Sequence, residues 1–258
     1  MTAVTVNRSP STVNRLYARH AAAADRGAWS VERDVAWHAV DAVRAHAQPD
    51  ILAALREAAI IESFHPVHLT GLLEATWDDV DAGVAFSLEL HEGFKHFHAL
   101  RTYLDVVGHA PAITDDELVA VRRAARARGD GDGAPAGRDT VARLVEFMLS
   151  EHLAYYFFRR LGERAEEPVL AGMLGLIAAD EVRHAQSASD LIAKRIAADP
   201  AAADRVLRAA ADFHHVGEQS VGAVPVALAG DPLAIRSFAR RVERLCGVRL
   251  VDYLKESL

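Results

Sequence analysis

The sequence predicts an all-α protein built as a four-helix bundle with additional N- and C-terminal helices. Alanine runs recur along a chain that is 51% hydrophobic, Gly and Pro gather in a few places, and no alternating Val/Ile/Thr stretch suggests a sheet. Isolated acidic residues interrupt the apolar helical stretches at matched spacings: Glu92 lies 30 residues after Glu62, and Glu181 lies 30 residues after Glu151. Each second Glu has a histidine just downstream, His96 and His184 respectively. A dinuclear iron or manganese site in a helix bundle takes one Glu from each of two helices and a Glu-plus-His pair, one turn apart, from each of the other two. Two helical hairpins here would each supply half of that set.

Composition narrows the function. A chain of 258 residues suits one large helical domain with a substantial core. The net charge of -7 argues against non-specific binding to nucleic acid, which relies on Lys and Arg to neutralise phosphates. The single cysteine, Cys246, excludes an intramolecular disulfide and a CxxC pair, so a reducing, cytoplasmic setting is expected. The N-terminus, MTAVTVNRSPSTVNR, has no apolar h-region, and no run approaches the roughly 20 apolar residues of a membrane span. A soluble protein without a membrane or nucleic-acid partner is the expectation.

The elements follow from local punctuation. Residues 1–10 read as a disordered lead, and 11–258 as one domain whose first helix spans 11–26 and ends near Gly27. Ser30 is suited to cap a helix from Val31 to about Ala47, with Val35, Trp37, Val40 and Val43 as its apolar positions. Pro49 and Asp50 begin a longer helix carrying Ile51, Leu52, Leu55, Ala59, Ile60 and Glu62, and Pro66 removes a backbone hydrogen bond and kinks it. After the cap-like Thr76-Trp77-Asp78, a helix over 79–107 carries Glu92 and His96. A short helix over Asp115–Arg128 precedes GDGDGAPAG, a loop by composition that separates the hairpins. The helix from Thr140 surrounds Glu151 with apolar residues, and the helix opened by Pro168 places Asp180, Glu181 and His184 in an Ala-rich apolar run, where they are costly to bury unpaired. Beyond Pro200, further helices close the bundle, one starting at Asp231-Pro232.

Two Glu-x-x-His pairs occur, Glu62/His65 and Glu181/His184, and chance supplies about one in a chain of this composition. A single pair therefore means little; four acidic residues on four long apolar helices mean more. The stretch Ala171 to Ile196 carries Ile177, Ala178, Ala179, Asp180, Glu181, Arg183 and His184, with Glu151 upstream. It resembles the last ligand helix of the soluble acyl-carrier-protein desaturases, whose pattern is IAADE-x-RH. ARRVERLCGVRLVDYL is similar to a later segment of that family, and IESFHP to its first ligand helix with Pro66 in register. The similarity covers most of residues 50–253, most closely in the second hairpin. It implies a ferritin-like fold, a carboxylate-bridged pair of iron ions with manganese as the alternative, O2 as co-substrate, reduced ferredoxin as electron donor and a homodimer.

The chain departs from the family at several places. The second ligand helix of the family carries Glu-x-x-His, whereas this chain reads Glu92-Gly93-Phe94-Lys95-His96. An i+4 offset still puts His96 on the Glu92 face, and Lys95 or His65 is the competing candidate for that position. Where the family has a Thr, three residues after the third-helix Glu, this chain has Ala154; where related N-oxygenases have an extra His, it has Ile177.

The expected ligand set is Glu62, Glu92, His96, Glu151, Glu181 and His184, a mainly hard set suited to Fe(II) or Mn(II). Glu92 and Glu181 would bridge, with Glu62 and His96 completing one metal, Glu151 and His184 the other. Asp180 is suited to orient an imidazole from outside or to be a solvated carboxylate. Tyr155, Phe86, Phe94, Phe157 and Met148 read first as packing and second as pocket walls. Arg122, Arg123, Arg126 and Arg128, or Arg236, Arg240, Arg241 and Arg244, are candidate docking patches for a carrier protein, though such runs are usually solvated helix faces. The function these features predict is an oxidase or oxygenase acting on a C–H bond of an apolar or carrier-bound acyl substrate. The alternatives are N-oxygenation or hydroxylation of a small molecule, and ferroxidase or peroxidase chemistry.

Overall fold

A computed structural model describes residues 15–127, 139–215, 217 and 232–256. Among the described residues the regular structure is entirely helical. Four long units make the bundle: α4 (Pro49–Glu62) continued by α5 (His65–Ala75), α6 (Val80–Val106), α8 (Thr140–Arg164) and α9 (Pro168–Ala198). The rest are α1 (Leu16–Gly27), α2 (Val31–Asp34), α3 (Ala42–His46), α7 (Asp115–Ala127), α10 (Ala202–Ala211), α11 (Pro232–Cys246) and α12 (Leu250–Glu256).

Each bundle helix buries one apolar stretch, then a polar band, then a second apolar stretch. One core cluster contains Leu52 and Leu55 of α4, Leu100 and Tyr103 of α6, Phe157 and Phe158 of α8, and Leu170 and Leu174 of α9. The other contains Leu69 and Leu72 of α5, Phe86 of α6, Leu144 and Met148 of α8, and Leu191 of α9. Glu62, Glu89, His96, Glu151, Glu181 and His184 lie between them in sequence on every helix, and all are buried. The order of the clusters gives the direction of each helix. α4–α5 and α9 run from the first cluster to the second, while α6 and α8 run the other way. α6 and α8 are therefore parallel and need a long crossover, which passes through α7; one such crossover is the connectivity of ferritin-like bundles.

Among the described elements α8 and α9 share the most extensive contact, joined by the short link 165–167. α1 packs on both α6 and α9, and α10 and α11 pack on α8. Fully burying a Leu or Phe is worth about 1.5–3 kcal/mol, so the two clusters, rather than the polar band between them, hold the bundle closed.

The structure corrects several sequence expectations. The helix expected from Val31 to about Ala47 is broken into α2, a 3₁₀ turn at Trp37–Ala39 and α3. Val35 is extended because the Trp37 indole N–H turns back to the Val31 carbonyl at 2.7 Å, and Asp41 starts a new helix by accepting from the Arg44 N–H. Ser30 caps nothing with its hydroxyl, which donates to Glu32 instead. Asp79, rather than Thr76-Trp77-Asp78, caps α6 by accepting from the N–H groups of Asp81 and Ala82. Its end is set by Gly108 at φ 69°, beyond which the His109 N–H returns to the Leu104 carbonyl. Pro66 does more than kink: α4 ends at Glu62 and α5 begins at His65, with the proline in its first turn where no N–H is needed. Phe94, expected in the core, is exposed. The lead at 1–10, the GDGDGAPAG loop and Asp231 lie outside the described residues.

Candidate metal centre

The polar band closes on itself at the middle of the bundle. Glu62, His96 and Glu181 offer ligand atoms within 4.8 Å of one another, and so do Glu151, Glu181 and His184; Glu181 belongs to both groups. Of the six residues expected as ligands, the structure brings five together here. Glu92 stands apart from both. Its Oε2 accepts from His184 Nε2 at 2.8 Å and its Oε1 takes Arg183 Nη2 at 2.7 Å.

The inward position on α6 belongs to Glu89, one turn earlier and 2% exposed, which groups with His65 and Glu151. The sequence reading passed over Glu89. The signal was there, because Glu89 and Glu92 are an i, i+3 pair on one face, but the 30-residue spacing from Glu62 favoured Glu92.

The imidazoles are held from outside. His96 Nε2 donates to Asp180 Oδ2 at 3.0 Å, leaving Nδ1 at 3.0 Å from Glu181 Oε1 and 3.6 Å from Glu62 Oε2. His184 donates through Nε2 to Glu92, leaving Nδ1 at 3.1 Å from Glu181 Oε2 and 3.5 Å from Glu151 Oε2. Asp180 is itself fixed by the Trp29 indole N–H at 2.8 Å, Lys95 Nζ at 2.9 Å and Arg183 at 2.6 Å. Lys95 thus sits outside the carboxylate cluster, 4.3 Å above the Trp29 ring. Tyr155 faces away, its hydroxyl accepting from Arg159 at 3.3 Å. Of the arginines considered for docking, Arg122 donates to the Ser63 carbonyl and Arg241 to the Ala185 carbonyl and Ser189 hydroxyl. Arg128 and the Arg126 side chain lie outside the described residues.

These residues fit a pair of metal ions. Glu62 Oε2, Glu89 Oε1, His96 Nδ1, Glu151 Oε2 and Glu181 Oε1 are buried without a hydrogen-bond partner, and all belong to the groups just described. Orphaned buried polar atoms are rare in native interiors and ask for an explanation. Two ligand atoms bound at about 2.1 Å at right angles to one ion lie about 3 Å apart, close to the contacts seen here.

Proton sharing stabilises the set when no ion is bound. Burial, then the charge of Glu181, raise the Glu151 carboxyl well above its usual range. Glu181 is held well below its own: against burial, the hydrogen bond from Glu151 and the charge of His96 keep it ionised. Glu89 is pushed up to about 7 by burial. His96 and His184 are raised well above 6.5 by the surrounding carboxylates, which outweigh burial.

Among the described residues, cavities reach this centre from two sides. One of about 30 Å³ lies beside Glu62, between Ala58, Ile61, Ala154, Phe157, Phe158 and His215. A larger one of about 200 Å³ lies under α1, where Glu89, Glu92, Arg183 and His184 face Arg19, His20 and Asp190.

No family model matches the chain. A stretch of 101 residues, 38% of the chain, is 34% identical to the putative acyl-ACP desaturase DesA2 of Mycobacterium tuberculosis, strains CDC 1551 and H37Rv. That stretch spans 34% of the relative's length. The X-ray structure of DesA2 from strain H37Rv superposes over 89% of this chain and 92% of its own, at TM-score 0.54 and 20% identity. An R2-like ligand-binding oxidase, a point mutant with an anaerobically reconstituted Mn/Fe cofactor, superposes over 95% of this chain and 97% of its own, at TM-score 0.57 and 15% identity. In sequence the chain is similar to a desaturase over part of its length, and in fold it is similar over most of its length to that desaturase and to an R2-like oxidase.

Proposed function

We propose that this protein is an O2-dependent oxidase or oxygenase with two iron ions, or manganese in their place, acting on a C–H bond of an apolar or carrier-bound acyl substrate. The observation that carries this reading is the convergence of orphaned, buried carboxylate and imidazole atoms into groups that share Glu181. Glu62 and His96 would hold one ion, Glu151 and His184 the other, with Glu181 common to both. Glu89 is better placed than Glu92 to be the second shared carboxylate. A reduced dinuclear centre of this type supplies electrons to O2 and so an oxidant for an unactivated C–H bond.

The chain's own residues bind, orient and exclude water. Asp180 and Glu92 fix the ring orientation of His96 and His184, so that each imidazole keeps its free nitrogen inward. The apolar clusters on either side keep solvent away from the carboxylates. The cavity beside Glu62 is large enough for a molecule the size of O2, and Ala154 gives its wall a methyl group and no hydroxyl. Of the residues lining that cavity only Glu62 and His215 carry titratable groups.

Reduced ferredoxin as donor, a carrier protein bearing the substrate and a homodimeric, cytoplasmic protein belong to the same reading. Among the described residues no helix is long and apolar enough to cross a membrane. A second reading, ferroxidase activity, is favoured by the larger opening that leads past Asp190 to Glu92 and Glu89.

The test is anaerobic Fe(II) titration followed by O2, with and without medium- and long-chain acyl thioesters of the carrier protein and product analysis by mass spectrometry. Two ions per chain and substrate-dependent O2 consumption support the oxygenase. Rapid Fe(II) oxidation indifferent to substrate supports the ferroxidase. Failure to take up metal, or a Glu181→Ala variant that behaves as wild type, refutes both.

A further inference from the structure

We propose that His65 is a third imidazole ligand of this centre, on the metal held by Glu151 and His184. The inference rests on the dinuclear reading above and adds to it a residue of the first hairpin.

His96 and His184 share one arrangement: one ring nitrogen donates to an acceptor outside the cluster, and the other points at the carboxylates. His65 repeats it. Its Nδ1 lies 3.2 Å from the Glu62 backbone carbonyl, which can only accept, so Nδ1 carries a proton and Nε2 is the nitrogen left to bind a metal. That Nε2 is buried, has no hydrogen-bond partner and lies 3.8 Å from Glu151 Oε1. It shares with Glu89 and Glu151 a group of buried ligand atoms within 4.8 Å. A histidine that ligates a metal through one nitrogen characteristically donates the other N–H to a carbonyl or carboxylate, which fixes its tautomer.

A second observation comes from the facing helix. A Cβ on Gly93 of α6 would lie 2.5 Å from Cγ and from Cδ2 of the His65 ring. α6 forgoes a side chain at the point where the ring crosses it, so the imidazole reaches inward only because residue 93 is glycine. The break between α4 and α5 contributes as well. Ser63 turns its hydroxyl back to the Ile60 carbonyl at 2.6 Å, and His65 enters in the first turn of a new helix rather than as a continuation of α4.

The proposal makes the two metal positions unequal. One has Glu62, His96 and the shared Glu181; the other has Glu151, His184, the shared Glu181 and the added His65. The less saturated position faces the cavity beside Glu62, where a small molecule has room to approach.

The test is an anaerobic Co(II) titration of the full chain, read by the number of ions bound, their affinities and the visible d–d absorption, for wild type, His65→Ala, His65→Gln and Gly93→Ala. Wild type is expected to bind two ions. Both His65 variants are expected to keep one and to bind the second at least about tenfold more weakly, with altered absorption. Gly93→Ala retains every carboxylate and imidazole yet fills the space of the ring, and is expected to reproduce that loss. Circular dichroism identifies the variants that fold. Unchanged stoichiometry, affinity and spectrum in the folded variants overturn the assignment and leave His65 a counter-ion of Glu62, 3.2 Å away. Wild type that binds no Co(II) refutes the dinuclear reading itself and takes this assignment with it.

Discussion

Glu89 and Glu92 show how one helical turn separates two chemical roles. Both sit on α6 and both approach His184, yet Glu92 meets the proton-bearing nitrogen and an arginine while Glu89 meets the cluster. Replacing Glu92 with Gln should leave two metal ions bound but weaken the His184 position about 10- to 100-fold, the usual effect of losing an outer partner of a ligand. Glu89→Ala should instead leave one tightly bound ion, and metal analysis after gel filtration distinguishes the two outcomes. The pH dependence of metal uptake follows from the same residue. In the metal-free protein Glu89 titrates near 7, raised by burial, so below that pH an incoming ion must displace its proton. Affinity should therefore rise with pH through about 7 and go on rising above it, because Glu151, His96 and His184 also hold their protons well above their usual ranges. Calorimetric titration in two buffers of different ionisation enthalpy should show proton release that diminishes across the same interval.

At the scale of the helix, α9 is anchored at its start by a buried carboxylate. Glu167 is 0% exposed and accepts from the N–H groups of Leu170 at 2.7 Å and Val169 at 3.3 Å, from the Tyr103 hydroxyl at 3.1 Å and from the Asp41 N–H at 3.4 Å. It therefore caps α9, ties it to α6 through Tyr103, and holds the entry to α3. Burial and the neighbouring Glu167 keep the Tyr103 proton far above its ordinary range, so this bond does not switch with physiological pH. Glu167→Ala removes the cap and strands the Tyr103 hydroxyl in the core. The expected loss is about 3 kcal/mol, read as a lower urea midpoint at unchanged slope. Tyr103→Phe should cost about 1 kcal/mol, since it removes one partner while the backbone donors remain.

The whole molecule sets its stability against its site. Five buried glutamates in the polar band contribute no hydrophobic energy, and the bundle closes on the two apolar clusters at either side. Metal should reverse the burden: an ion at a hundred times its dissociation constant stabilises by about 2.7 kcal/mol, so the melting temperature should rise on anaerobic loading and fall on chelation. Glu181→Ala removes the residue common to both groups and leaves Glu151 and His96 without the carboxylate that pairs with them. The metal-free variant should therefore melt below the metal-free wild type, and added metal should no longer raise its melting temperature. Differential scanning calorimetry of the four samples checks both statements.

The sequence by itself determined the all-α class, the pairing of long helices into two hairpins and most of the residues that converge at the candidate site. Those features are local: apolar periodicity, helix punctuation, and the run from Ala178 to His184 in which a carboxylate and an imidazole fall on one helical face. The tertiary structure decided what depends on rotation and axial position. Helical spacing alone cannot tell whether Glu89 or Glu92 faces inward, because both lie on one stripe and packing against α9 sets which of them turns to the cluster. His65 points inward because α4 breaks at Ser63 and because Gly93 on another helix leaves the room. The same reason explains the broken segment after Ser30: Trp37 and Asp41 found partners that a continuous helix would not have offered, and those contacts outweighed the weak local preference for one.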